Sequence, residues 1–301
     1  MNSTTRRIWL LADPHIGHES DGLDGAEWVA LDVQDVRDNV GGIDYVINLG
    51  DMSHKYQPEQ LQQYVDIRDG SGIGPWFEVC GNHDFHATET GDYQRIVGCP
   101  RYWRIDDGNL LMVSLPAQRG NAAALFLPEV EAWLREQLAE QADRNIIVCA
   151  HQFPCDTVET TERPARGMFP RAAVERFLDD VKRDTGGALR LWWGGHIHSG
   201  PRGDGHIARR DGVTFINAAS ASHSYNTQRC HGFVLEMAAG QRIARARCRE
   251  HDTARFAEEH STDIELLHPV ELSADGPAFT SFDLDVPDHY AKIDEEVVES
   301  F

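Results

Sequence analysis

Val79-Cys80-Gly81-Asn82-His83-Asp84 is the stretch around which the rest of the chain makes sense. A short apolar run (Trp76, Phe77, Val79, Cys80) stops at a glycine, and an amide, an imidazole and a carboxylate follow at once. Glycine tolerates backbone conformations that a Cβ resists, so a strand can end there and turn sharply. The turn then aims polar donors and acceptors off the strand end. Alone, Gly-Asn-His-Asp reads as well as an ordinary polar turn.

The same grammar recurs along the chain. Ile8–Ala12 runs into Asp13-Pro14-His15, Tyr45–Leu49 into Gly50-Asp51, Ile146–Ala150 into His151, and Leu189–Trp193 into Gly194-Gly195-His196-Ile197-His198. Residues two apart on an extended backbone point the same way, so Asp13 and His15 can face one site. Five β-type runs therefore each end in residues able to ligate metal. In open α/β sheets, sites form beyond the carboxyl ends of the strands.

Between these runs the pattern predicts helices over Ala26–Val40, Pro58–Arg68, Pro128–Ala142 and Phe169–Asp184, with apolar residues spaced three and four apart. Tyr102–Ile105 and Leu110–Leu115 flank Asp106-Asp107-Gly108-Asn109 as a hairpin. Val213–Ala218, Gly232–Met237 and Arg242–Glu250 read as a closing set of antiparallel strands. From Glu250 onward, 15 acids face 2 bases among scattered Phe and Leu. The division is a catalytic domain over 1–250 and an acidic extension over 251–301, which packs on the core or is partly ordered and could mediate homo-oligomerisation.

With 301 residues and 41% hydrophobic content, the chain can bury a substantial core. It has neither a membrane-length apolar run nor a signal-peptide pattern at its start, which makes the cytoplasm the expected compartment. Its six cysteines show no C-x-x-C spacing and read as thiols of a reducing compartment.

A net charge of −21 with only 3 lysines (Lys55, Lys182, Lys292) resembles the composition of salt-in halophiles. Molar salt cuts the screening length to about 3 Å and relieves the self-repulsion of such a surface. The same charge argues against binding to anionic membranes, or to nucleic acid except as a substrate.

Asp13-x-His15, Gly50-Asp51, Gly81-Asn82-His83-Asp84, His151 and Gly195-His196-x-His198, in that order, resemble the signature set of the calcineurin-like metallophosphoesterases over roughly Arg6 to Glu250. The resemblance implies an α/β fold: a four-layer α/β/β/α sandwich of two mixed sheets with a dinuclear metal site on the loops at one edge. It further implies that Asp13, His15 and His198 hold one divalent ion, that Asn82, His151 and His196 hold a second, and that Asp51 bridges them. Mixed imidazole, carboxylate and amide ligation suits manganese, iron or zinc. The implied reaction is phosphate-ester hydrolysis, on a phosphodiester or a phosphomonoester, by a hydroxide bridging the two ions that attacks phosphorus in line.

In the family, the histidine at the position of His83 approaches the leaving-group oxygen as a proton donor or charge stabiliser. Protein phosphatases place a second aspartate three residues after the Gly-Asp aspartate, where this chain has His54. The carboxylate that would orient His83 is thus missing there; Asp84 or another residue could substitute, or His83 works less as an acid. This departure looks less like a protein phosphatase and more like bacterial and archaeal phosphodiesterase-type members.

His86 and His223 are candidate substrate contacts, and Asn82 is placed for the same role. Arg163, Arg166, Arg202 and Arg229 are candidate phosphate clamps, since a guanidinium fork matches phosphate oxygens. Two alternatives remain. A nuclease would want a basic, aromatic-lined groove, and the sequence offers only Arg209-Arg210 and Arg242/Arg245/Arg247/Arg249. A non-catalytic scaffold would have lost ligands, whereas all seven positions are filled.

Overall fold

The computed structural model describes residues 4–118, 124–159, 161, 166–199, 204–222, 231–284 and 286. Two seven-stranded mixed sheets form its centre. In the first, Thr5–Leu11, Tyr45–Asn48 and Trp76–Glu78 run parallel, and His231–Ala238 and Ile243–Glu250 continue antiparallel beyond Thr5–Leu11. In the second, Leu110–Leu115, Asn145–Ala150, Leu189–Gly194 and Val213–Asn217 are parallel neighbours. Tyr102–Asp107 closes one side as the expected hairpin with Leu110–Leu115.

Strand periodicity explains the layering. Successive side chains alternate faces. Ile8 and Leu10 therefore enter the core between the sheets, with Ile47, Met112, Ile147, Leu191 and Trp193. Trp9 and Leu11 face outward onto Val29, Val33 and Val36, on the helix Gly25–Asp35 and the turn that continues it. On the far side, Val113, Val148, Trp192 and Phe215 meet Val130 and Leu134 of the helix Pro128–Leu138 and Val174 and Phe177 of the helix Arg171–Asp184. The order is helix, sheet, sheet, helix: the four-layer sandwich expected from sequence.

The remaining differences from the sequence reading are local. The helix expected over Pro128–Ala142 ends at Leu138. Gly167–Phe169 is a short strand, and the next helix starts at Arg171 rather than Phe169. The closing strands do not form one set. Val213–Asn217 joins the second sheet in parallel to Leu189–Gly194, while His231–Ala238 and Ile243–Glu250 join the first. Period-two patterning reports which face of a strand is buried, not which strand lies beside it.

Beyond residue 250, Thr262–Glu265 adds to the first sheet beside Ile243–Glu250, and Ala278–Phe282 adds to the second beside Tyr102–Asp107. No helix among the described residues is long and apolar enough to cross a membrane. The five described cysteines are buried and free.

Candidate metal centre

Parallel strands share a carboxyl edge, so the loops following Leu11, Asn48, Glu78, Ala150 and Gly194 all emerge on one rim of the sandwich. The loops are tied to one another there. Asp13 N–H donates to the Gly50 carbonyl (2.9 Å), His15 N–H to the Asp51 carbonyl (2.9 Å) and Gly195 N–H to the His151 carbonyl (3.0 Å). A Cβ at Gly81 would collide with the Asp51 backbone and carboxylate, and one at Gly195 would sit 2.6 Å from Asp13 Oδ2. Both glycines are therefore required by close approach.

Asp13, His15, Asp51 and His196 all have positive φ, at 53°, 47°, 55° and 64°. Such backbone costs on the order of 1–3 kcal/mol per residue outside glycine and persists only where its surroundings enforce it. Here it turns the side chains back toward a common point.

Two groups of ligand atoms that share Asp51 result, each with its members within 4.8 Å of one another: Asp13, His15, Asp51 and His198, and Asp51, His151 and His196; a third group, without a carboxylate, brings His15, His54 and His83 equally close. In the first, His15 Nε2 and His198 Nε2 stand 3.0 Å apart. Asp13 Oδ1 lies 3.1 Å from His198 Nε2, and Asp51 Oδ2 lies 3.7 Å from His15 Nε2. In the second, His151 Nδ1–H donates to the Leu49 carbonyl (2.8 Å), which turns Nε2 toward Asn82 Oδ1 (2.9 Å) and Asp51 Oδ2 (3.3 Å). Fixing one ring nitrogen on a carbonyl is how a ligating imidazole is oriented.

Asp13, His15, Asp51 and His151 are buried at 0–1% exposure. Burial, reinforced by repulsion from His198, pushes His15 well below the ordinary histidine range toward its neutral, ligating form. Burial alone would raise Asp51, but the facing His151 holds it well below the usual carboxylate range. Burial likewise opposes charge on His151, yet attraction to Asp51 raises it to about 9. Both groups of donors fit a divalent cation: convergent imidazole nitrogens and carboxylate oxygens concentrate negative potential that a cation satisfies.

His83 stands beside both groups. Its N–H donates to Asp51 Oδ1 (2.8 Å), its ring lies edge-on to His15 at 4.7 Å, and it stacks on His54 at 5.6 Å. Of the substitutes open for orienting this ring, Asp84 is not the one that contacts it. The Asp84 carboxylate accepts from the N–H groups of Met52 (3.1 Å), Ser53 (2.9 Å) and Gly81 (3.1 Å), and so pins one loop to the other. Burial and the neighbouring Asp51 raise it to about 6. His83 Nδ1–H donates instead to the backbone carbonyl of His54 (2.7 Å). The residue replacing the phosphatase aspartate therefore orients His83 through its main chain.

Of the other histidines, His18 packs its ring 4.8 Å from His54, and His86 packs against Tyr56 at 4.6 Å. His206 lies against His260, and His231 beside Glu250 (3.9 Å). Arg166 is exposed. His223, Arg163, Arg202 and Arg229 lie outside the described residues. The basic strand is engaged with protein groups: Arg245 and Arg247 pair with Glu258 (3.0 and 2.7 Å), and Arg249 with Asp35 (2.6 Å).

Sequence reasoning missed the supports. Asn217 Nδ2 donates to the Ile197 (2.6 Å) and Ser199 (3.1 Å) carbonyls, ordering the His196–His198 loop. Ser220 Oγ–H donates to the Asp13 carbonyl (2.8 Å). A signal did exist. Asn48 and Asn217 each end a strand, and each accepts from the N–H two residues on, Gly50 and Ala219 (both 3.1 Å). Asparagine at a strand end is suited to this turn.

The calcineurin-like phosphoesterase family model matches residues 6–200. Among solved structures, a purple acid phosphatase from yellow lupin (Lupinus luteus) seeds is similar, with a TM-score of 0.58 and 14% identity over 87% of this chain. The match spans 54% of that protein, about half its length. Vps29 from Entamoeba histolytica (a single mutant) gives a TM-score of 0.43 at 14% identity, covering 86% of this chain and 99% of that one. Vps29 from Chaetomium thermophilum gives 0.42 at 11% identity, covering 88% and 100%. No curated protein sequence matches. Since the family model covers about two thirds of the chain, including every strand end from Asp13 to His198, this protein belongs to the calcineurin-like phosphoesterases.

Proposed function

We propose that the protein is a metal-dependent hydrolase of phosphate esters with a dinuclear centre. Asp13, His15 and His198 would hold one divalent ion, Asn82, His151 and His196 the other, with Asp51 between them. One observation carries this reading: the Asp51 carboxylate belongs to both groups of convergent ligand atoms. Bound there, two divalent ions supply Lewis acidity, lowering the pKa of water and drawing in a phosphoryl oxygen. Manganese, iron and zinc all suit this donor set.

The chain's own residues do the positioning. Asp51 Oδ1 holds the His83 backbone, and the His54 carbonyl holds Nδ1–H, which leaves His83 Nε2 as the nitrogen that can carry a transferable proton. In its imidazolium form His83 would deliver that proton to the departing oxygen of the ester. Asn82 and His86 are the proposed substrate contacts. We further take the low lysine content and net charge of −21 as support for a protein of the cytoplasm of a high-salt cell.

The test combines metal analysis of the purified protein with hydrolysis of bis(p-nitrophenyl) phosphate and p-nitrophenyl phosphate. The expected result is bound metal and chelator-sensitive turnover of at least one ester. Activity that survives exhaustive chelation would remove the centre from the reaction.

A further inference from the structure

A cavity of about 620 Å³ is lined by residues from an edge strand of each sheet: Trp76, Phe77 and Glu78 from the first, and Phe279 from the second. That volume suits a small molecule. None of its lining residues belongs to the ligand groups that share Asp51.

The charges around the cavity are out of balance. Arg68 Nε donates to Asp69 Oδ1 (2.8 Å), and its Nη1 donates to Glu78 Oε1 (3.0 Å) and to the Val97 carbonyl (2.8 Å). All three charged residues belong to the lining, so one guanidinium stands against two carboxylates. Glu78 is the unusual member. It is 1% exposed, and its second oxygen, Oε2, has no hydrogen-bond partner among the described residues. A buried carboxylate oxygen without a donor is costly, and native folds seldom leave one so. Burial raises the Glu78 pKa, and the opposing pull of Arg68 does not cancel the rise.

Much of the remaining wall is aromatic. Phe77 and Phe279 stack with ring centroids 5.2 Å apart and planes 20° apart, and Phe279 is 42% exposed although its strand is paired with Tyr102–Asp107. Aromatic rings attract cations through their negative faces. A net charge of −21 draws cations toward the protein as a whole.

We propose that this cavity binds a small organic cation, a protonated amine on a flat apolar body, with the Glu78 carboxylate turning to meet the ammonium and the body lying against Phe77 and Phe279. The ammonium supplies the donor that Oε2 lacks and the positive charge that Arg68, shared between two acids, does not provide. A carboxylate or phosphate would face the same two acids and be repelled. The site is independent of the hydrolase reading, and neither stands or falls with the other.

Calorimetric titration of the full chain with benzylamine, benzyl alcohol and benzoate at neutral pH and low salt tests this. The three probes share a ring and differ in charge. Benzylammonium is expected to bind about tenfold more tightly than benzyl alcohol, and benzoate more weakly than either. Phe279→Ala, a change at an exposed ring, should weaken benzylammonium binding, and Glu78→Gln should remove the preference for the cation over the alcohol. Should Glu78→Gln fail to fold, Phe279→Ala decides alone. Equal binding of benzylammonium and benzyl alcohol overturns the proposal, as does tighter binding of benzoate. Cation affinity untouched by Phe279→Ala, or a cation preference kept in folded Glu78→Gln, places the binding elsewhere and overturns it too.

Discussion

Two of the buried polar clusters among the described residues are built on opposite principles. On the outer face of the first sheet, Asp35 accepts from Arg249 Nε (2.8 Å) and Nη2 (2.6 Å), from His251 Nδ1 (2.9 Å) and from Asn39 Nδ2 (2.9 Å). The carboxylate is saturated, and its pKa is held well below the ordinary range because these bonds outweigh the cost of burial. Asp35 closes a regular helix and Arg249 lies in a regular strand, and neither has positive φ. At the carboxyl edge, by contrast, like groups converge: two ring nitrogens at 3.0 Å, two carboxylates close by and four residues in left-handed backbone. In the first cluster the Asp35 carboxylate is met by donors of the fold itself. The second concentrates ligand atoms at a cost in strain, which is the mark of a site that needs something from outside.

That contrast can be broken most forcefully at Asp51. Asp51→Asn should abolish both metal loading and nearly all hydrolysis, since one side chain serves both groups; a variant that keeps two ions per chain would contradict the shared-ligand scheme. His83→Ala should leave metal content intact and cut turnover by roughly 10²- to 10⁴-fold, most for esters with poor leaving groups. Loss of metal in that variant would place His83 among the ligands instead.

The outer cluster should behave inversely. Arg249→Ala removes two of the four donors and the charge partner of a buried carboxylate and should cost up to about 3–5 kcal/mol in denaturant unfolding, with turnover per folded molecule retained. A neutral effect would show that the pair is dispensable.

Acid should sharpen the same distinction. Burial pushes His251 below the ordinary histidine value, so the unfolded chain binds the proton more readily and stability falls as the pH drops through the unfolded pKa near 6.5. Asp35, also depressed, adds a second loss as the pH falls through the ordinary carboxylate range near 4. Thermal melts across pH 7 to 2 should fall in two stages, and His251→Gln should diminish the upper one, to which the depressed His15 also contributes.

The smallest effect is expected at His54. Because its main-chain carbonyl orients His83, His54→Ala should lower turnover far less than His83→Ala. Comparable losses would mean that the imidazole itself acts. Melts in rising salt should show stabilisation toward molar concentration; full stability in dilute buffer would remove the case for a high-salt origin.

Much of this was legible in the chain. Five apolar runs ending in Asp, His or Asn specify β-strands with a common functional edge, because a strand that stops at glycine must project the next residues beyond the sheet. The helices were legible because their apolar faces repeat every three to four residues. The partition of the late strands was not, since Val213–Asn217 and His231–Ala238 carry the same period-two pattern yet enter different sheets. The role of Asp84 was hidden for a similar reason. A carboxylate next to a histidine in sequence need not face it in space, and here the turn directs it to three backbone donors instead.

The sequence by itself determined the kind of chemistry: which residue types can ligate, how many there are, and that each follows a strand. Only the tertiary structure decided which of them meet. Ring nitrogens 183 residues apart come within 3.0 Å because two sheets pack face to face and bring their carboxyl edges to one rim. Local pattern fixes the direction of a side chain relative to its own strand, whereas convergence depends on packing between strands that share no local signal.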